Sequence, residues 1–118
     1  GRTTYSRNER RLRESLVIRH VVLVKFRADV PAAERRAIYE ALAALRGHLP
    51  GILAMSSANV SPEGKSLGFD DGFIIDFADA AARDAYLIDP AHKAAGARLV
   101  AALEGGRDAG LLVFDLDA

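Results

Sequence analysis

The chain has 118 residues, half of them hydrophobic, with 16 Lys and Arg against 16 Asp and Glu and no cysteine. That length fits one domain with one core, and the apolar fraction excludes a disordered chain. Zero formal net charge provides no bulk field for nucleic acid or an anionic membrane, and the lack of thiols excludes disulfides, thiolate catalysis and Cys-based zinc sites.

No apolar run reaches membrane-spanning length and no signal-type segment precedes the domain. A cytoplasmic protein without a membrane partner is therefore expected. The three histidines, His20, His48 and His92, lie far apart and show no close ligand spacing, so neither a metal nor a cofactor is expected.

Residues 1–16 form a separate basic arm, with Arg2, Arg7, Arg10, Arg11 and Arg13 against Glu9 and Glu14. Ser6 suits the cap of a short helix running to Leu16. The two glutamates interrupt the basic run and no row of aromatics accompanies it. The arm is read as docking on its own or a partner subunit, and nucleic acid is not expected as a partner. The globular domain is assigned to residues 17–118.

Val17 to Phe26 reads as a strand that is apolar on both faces, with His20, Val22 and Val24 on one and Val21 and Leu23 on the other. Asp29-Val30-Pro31 opens a helix to about Leu49, where Ile38, Leu42, Leu45 and Leu49 recur at helical spacing. Pro50-Gly51 stops it, and His48 in its last turn reads as structural. Ile52 to Val60 is a weaker strand, followed by a turn and a loop. Gly72 to Phe77 is the third strand. Asp79 caps a helix from Ala80 to Leu87. Asp89 caps another from Pro90 to about Leu103, with proline at the position whose N–H has no helical partner. Gly105-Gly106 ends it, and Leu111 to Leu116 is the last strand.

The order β-α-β-β-α-β, with its second helix broken at Asp89-Pro90, predicts an α+β, ferredoxin-like fold with a four-stranded antiparallel sheet. Both helices then cover one sheet face. The other is expected to expose Val22, Val24, Phe73, Ile75, Leu111 and Val113. A patch that large predicts a homodimer with the two sheets face to face, a dimeric α+β barrel.

Tyr86-Leu87-Ile88-Asp89-Pro90-Ala91-His92 places a phenol and an imidazole at one helix corner. His20, Asn59, Asp71 and Asp115 are the other polar residues able to enter the inner face, among apolar walls from Val22, Val24 and Phe73. A few polar groups in an apolar cavity mark a small-molecule site. A plainer reading stands beside it. In that reading His20 is a core histidine, Asp71 and Asp115 face water at strand ends, Asn59 forms a turn, and Tyr86 and His92 simply pack a corner.

Tyr86…Asp89-Pro90-Ala91-His92, Ile18-Arg19-His20-Val21-Val22 and Leu111 to Asp115 together resemble the stress-responsive A/B barrel (Dabb) family over about Ile18 to Leu116. The resemblance implies a dimeric α+β barrel. A plant polyketide cyclase of that family uses a Tyr and a His matching Tyr86 and His92, and a pocket His matching His20. This implies an intramolecular aldol condensation of a polyketide-like substrate without cofactor, His92 acting as base and Tyr86 as hydrogen-bond donor. Asp71 stands where that cyclase has another His, which implies a different substrate. Two further readings are a non-catalytic stress-responsive binding or protective protein, and a cofactor-free or haem-handling monooxygenase by fold analogy.

Overall fold

The computed structural model describes residues 6–9 and 16–118. Its elements run β1 (Ile18–Val24), α1 (Ala32–Ala43), α2 (Leu45–His48), β2 (Ile52–Asn59), β3 (Asp71–Phe77), α3 (Ala80–Ile88), α4 (Pro90–Ala101), α5 (Gly106–Gly110) and β4 (Leu111–Asp117). The strands form one antiparallel sheet in the order β2-β3-β1-β4, which is the ferredoxin-like arrangement. Among the described residues no helix is long and apolar enough to cross a membrane.

β1 lies at the centre because both its faces are apolar, and a strand paired on both edges is where such a segment is best covered. Its register places Ile18, His20, Val22 and Val24 opposite Phe77, Ile75, Phe73 and Asp71 of β3. On the other edge the same four residues face Asp117, Asp115, Val113 and Leu111 of β4. Ile38 and Leu42 of α1, Leu45 of α2, Tyr86 of α3, and Ala95 and Leu99 of α4 close over this row as one core.

The predicted assignment of faces is therefore reversed. Val22, Val24, Phe73 and Ile75 do not form the open face; they are the floor of the core beneath the helices. The opposite face, over which no helix among the described residues packs, carries the buried Val21, the half-buried Leu23, and Ile74, Leu112, Phe114 and Leu116, of which Ile74 and Phe114 are each 39% exposed. Alternation identifies two sets of side chains in a strand, but where both sets are apolar it does not say which the helices take.

The segment predicted as one helix to Leu49 divides at Ala44 into α1 and the one-turn α2. Both aspartate caps form as expected: Asp79 Oδ1 accepts the Ala82 N–H at 2.8 Å, and Asp89 Oδ2 accepts the His92 N–H at 3.0 Å. Gly105 and Gly106 take left-handed φ of 73° and 68°, which favours glycine, and they lead into α5 rather than directly into the last strand. Of the predicted arm helix, Ser6 Oγ accepts the Glu9 N–H at 3.2 Å; residues 10–15 lie outside the described residues.

Candidate active site

The helix corner and the sheet meet at a ring cluster. Asp89-Pro90 starts α4 abruptly, so His92 falls in its first turn and faces back toward the last turn of α3. There its imidazole stacks on the Tyr86 phenol, with ring centroids 3.8 Å apart and planes inclined at 32°. Tyr86 also meets Phe77 at 5.0 Å and His20 at 5.9 Å, and His20 meets Phe77 edge-on at 5.8 Å. Two imidazoles from opposite ends of the chain thus flank one phenol.

His20 and Asp115 are direct cross-strand neighbours on the helix-covered face. The His20 Nδ1–H donates to Asp115 Oδ1 at 2.6 Å, and Arg83 of α3 donates to Asp115 Oδ2 at 3.0 Å. The carboxylate fixes the imidazole's orientation and tautomer, leaving Nε2 as the nitrogen available to a ligand. Asp115 therefore does not sit free in water at a strand end; it joins His20 to Arg83.

His92 is half-buried, and its Nδ1 is buried without a hydrogen-bond partner among the described residues. The anchoring bond expected of a positioned catalytic imidazole is not made at this atom. Burial, and then the neighbouring His20, lower the His92 pKa below its ordinary value; the nearby backbone carbonyls of Leu87 and Tyr86 act in the opposite direction. Burial alone pushes the Tyr86 phenol well above its ordinary value, so it stays protonated at neutral pH. A neutral imidazole and a protonated phenol are the forms that accept and donate a proton or hydrogen bond.

These rings border a cavity of about 460 Å³ between the sheet and α3, α4 and α5. Its apolar wall includes Val22, Leu42, Phe73, Leu99, Leu111 and Val113. A groove of similar size between α1, α2 and α4 is lined mainly by alanines. Its two polar side chains are already engaged, His48 with Asp89 at 2.9 Å and Arg98 with Glu34 at 2.8 Å. Among the described residues no three His, Asp or Glu side chains converge in a way that would hold a metal.

Of the residues singled out from sequence, His20, Val22, Phe73, Tyr86 and His92 line the one cavity. Val24, Asn59 and Asp71 do not. Val24 is fully buried in the core. Asp71, only 8% exposed, accepts the Tyr39 hydroxyl at 2.6 Å and the Asn59 amide at 3.4 Å, and so belongs to a separate polar cluster at the far end of β3. Neither the water-facing reading nor the cavity reading of Asp71 holds. Arg83 was missed, because its link to Asp115 depends on how α3 settles over the sheet edge.

The stress responsive A/B barrel domain profile matches residues 18–117. The chain belongs to this family. Among solved structures, a dimeric ferredoxin-like protein of unknown function from Jannaschia sp. CCS1 is 35% identical, with a TM-score of 0.73, over 86% of this chain and 99% of that one. A hydroxynitrile lyase from Passiflora edulis is 15% identical with a TM-score of 0.77, covering 88% and 94% of the two chains, a likeness of fold alone. A Dabb family protein with a ferredoxin-like fold from Mesorhizobium loti MAFF303099 is 23% identical, with a TM-score of 0.68, over 87% and 97%. No curated protein matches the sequence.

Proposed function

We propose that this Dabb protein is a cofactor-independent acid–base catalyst acting on a small, largely apolar carbonyl compound, in a cyclase- or lyase-type reaction. The observation that carries the reading is the stack of Tyr86 on a half-buried His92 with an unpaired Nδ1, at the edge of the cavity that also receives His20. The neutral His92 takes a proton from a carbon or hydroxyl next to the carbonyl. Tyr86 donates a hydrogen bond to the oxygen on which negative charge develops. His20, held by Asp115 and Arg83, presents Nε2 to the same substrate.

For a polyketide-like chain the resulting carbanion attacks a second carbonyl carbon of the molecule. One C–C bond forms, and the new alkoxide recovers the proton from His92. For a cyanohydrin the hydroxyl proton goes to His92 as the C–C bond to cyanide breaks and the carbonyl forms, and His92 then returns the proton to the departing cyanide, which leaves as HCN. The name of the Passiflora protein supports including this second class in a substrate screen. The protein works as a homodimer joined through the open sheet face, a reading supported by the apolar row there and by the dimeric description of the Jannaschia protein.

The test is a screen of β-keto thioesters and aromatic cyanohydrins, with products resolved by chromatography and wild type compared with Tyr86→Phe and His92→Leu. Turnover of one class by wild type and its loss in His92→Leu are expected. Equal turnover by wild type and His92→Leu, or bound ligand recovered unchanged with no substrate consumed, would favour the non-catalytic binding protein instead.

A further inference from the structure

The cavity has a charged edge that the proposed chemistry does not use. Lys93, next in sequence to His92 on α4, and Arg107 on α5 both border it. Both residues are exposed, and neither side chain makes a hydrogen bond or ion pair among the described residues. Among the described residues no Asp or Glu lines the cavity; Asp115 reaches it only through His20. This chain carries as many acids as bases and pairs several of its arginines, with Asp76, Asp29, Asp115 and Glu34. Two cations whose side chains are unpaired therefore border a cavity that, beyond the His20, Tyr86 and His92 rings, is walled by apolar residues and, among the described residues, by no carboxylate.

The placement of Arg107 depends on a specific piece of backbone. The left-handed Gly105 and Gly106 turn the chain out of α4 into α5, and this brings Arg107 back to the cavity edge.

We propose that the ligand of this cavity has an apolar body and a terminal anionic group, carboxylate or phosphate, held at the edge by Lys93 and Arg107. This deepens the catalytic reading by naming the substrate class, and rests on that reading only for the claim that the ligand is turned over. The apolar body lies against Val22, Phe73 and Leu99 near the Tyr86–His92 stack. The anion stays at the exposed edge, where guanidinium and ammonium meet it without the cost of burying charge.

The test compares octanoate, octyl phosphate and octan-1-ol, three probes with one chain length, by calorimetric titration of the full chain at low and high salt. Each anion should bind about tenfold more tightly than the alcohol at low salt, an advantage that shrinks at high salt. Lys93→Gln/Arg107→Gln should abolish the preference while leaving alcohol binding unchanged. Tighter binding of octanoate assigns a carboxylate, and tighter binding of octyl phosphate assigns a phosphate ester. Equal binding of alcohol and anions, or a preference that survives in the double variant, overturns the inference. Both substitutions lie on exposed positions, and the unchanged melting temperature expected of the double variant checks that it folds. His92→Leu should keep the anion preference, so a failure of the catalytic reading, seen only in turnover, is separable from a failure of this one.

Discussion

Proton affinity at His92 is set by the surroundings of the ring, and burial is the largest influence. The unfolded imidazole takes up its proton near pH 6.5, the folded one only at lower pH. The stability gained by keeping the ring neutral is therefore complete above about pH 6.5 and is lost as pH falls through the folded value. His92→Leu should remove this part of the acid sensitivity, so its melting temperature should vary less between about pH 7 and pH 5 than that of wild type. An unpaired buried nitrogen carries a desolvation cost of about 1–3 kcal/mol, so the same variant should be no less stable than wild type at pH 7. A clear loss of stability there would give His92 a packing role instead. Tyr86 is only 1% exposed, and truncation to Ala would cost about 3–5 kcal/mol through the cavity it leaves. Tyr86→Phe is the variant that reports on the hydroxyl alone. Asp115→Asn should lower turnover at least about tenfold, because His20 would lose the charged acceptor that orients its ring.

At the scale of elements, the site depends on where α4 begins. The Asp89 carboxylate accepts the His92 N–H through Oδ2 and the His48 Nε2–H through Oδ1, so one side chain both caps α4 and ties it to α2. The His92 N–H is the leading cause that holds the Asp89 carboxyl below its usual range. Asp89→Ala should cost about 1 kcal/mol, the usual worth of an N-cap, and should lower turnover further than that figure suggests, because the first turn that carries His92 would fray. A melting temperature that moves while turnover stays constant would separate the cap from the site. The cap was legible in the sequence, since Asp-Pro is a local signal. The His20–Asp115 pair was only half legible. Both residues were visible as inner-face candidates, but their contact follows from the register of two strands that are 95 positions apart. The short helix α5 was missed because Gly105-Gly106 resembles the end of one element more than the start of the next.

At the scale of the whole molecule, the order of strands and helices followed from hydrophobic period and caps, and the family profile covers the same span. Which sheet face lies open did not follow, because β1 offers apolar side chains to both sides. The structure makes the two faces separable by mutation. Val24 is fully buried under the helices, so Val24→Asp should unfold the chain. Phe114 lies on the open face, so Phe114→Asp should leave a folded protein that sediments as a monomer where wild type sediments as a dimer. If Phe114→Asp remains dimeric, the pairing face is elsewhere. The basic arm can be tested in the same way: deletion of residues 1–16 should preserve a cooperative melt, since every core residue among the described residues lies at or after Ile18.

The central claim, that the Tyr86–His92 stack moves protons in the cavity, is tested most directly by deuterium uptake at the carbon next to the carbonyl of a slowly exchanging aryl ketone. Proton NMR in heavy water would follow it for wild type, Tyr86→Phe and His92→Leu. Wild type should exchange the ketone faster than buffer does, Tyr86→Phe more slowly than wild type, and His92→Leu at the buffer rate. Uptake by wild type at the buffer rate, or undiminished uptake by His92→Leu, would contradict the account.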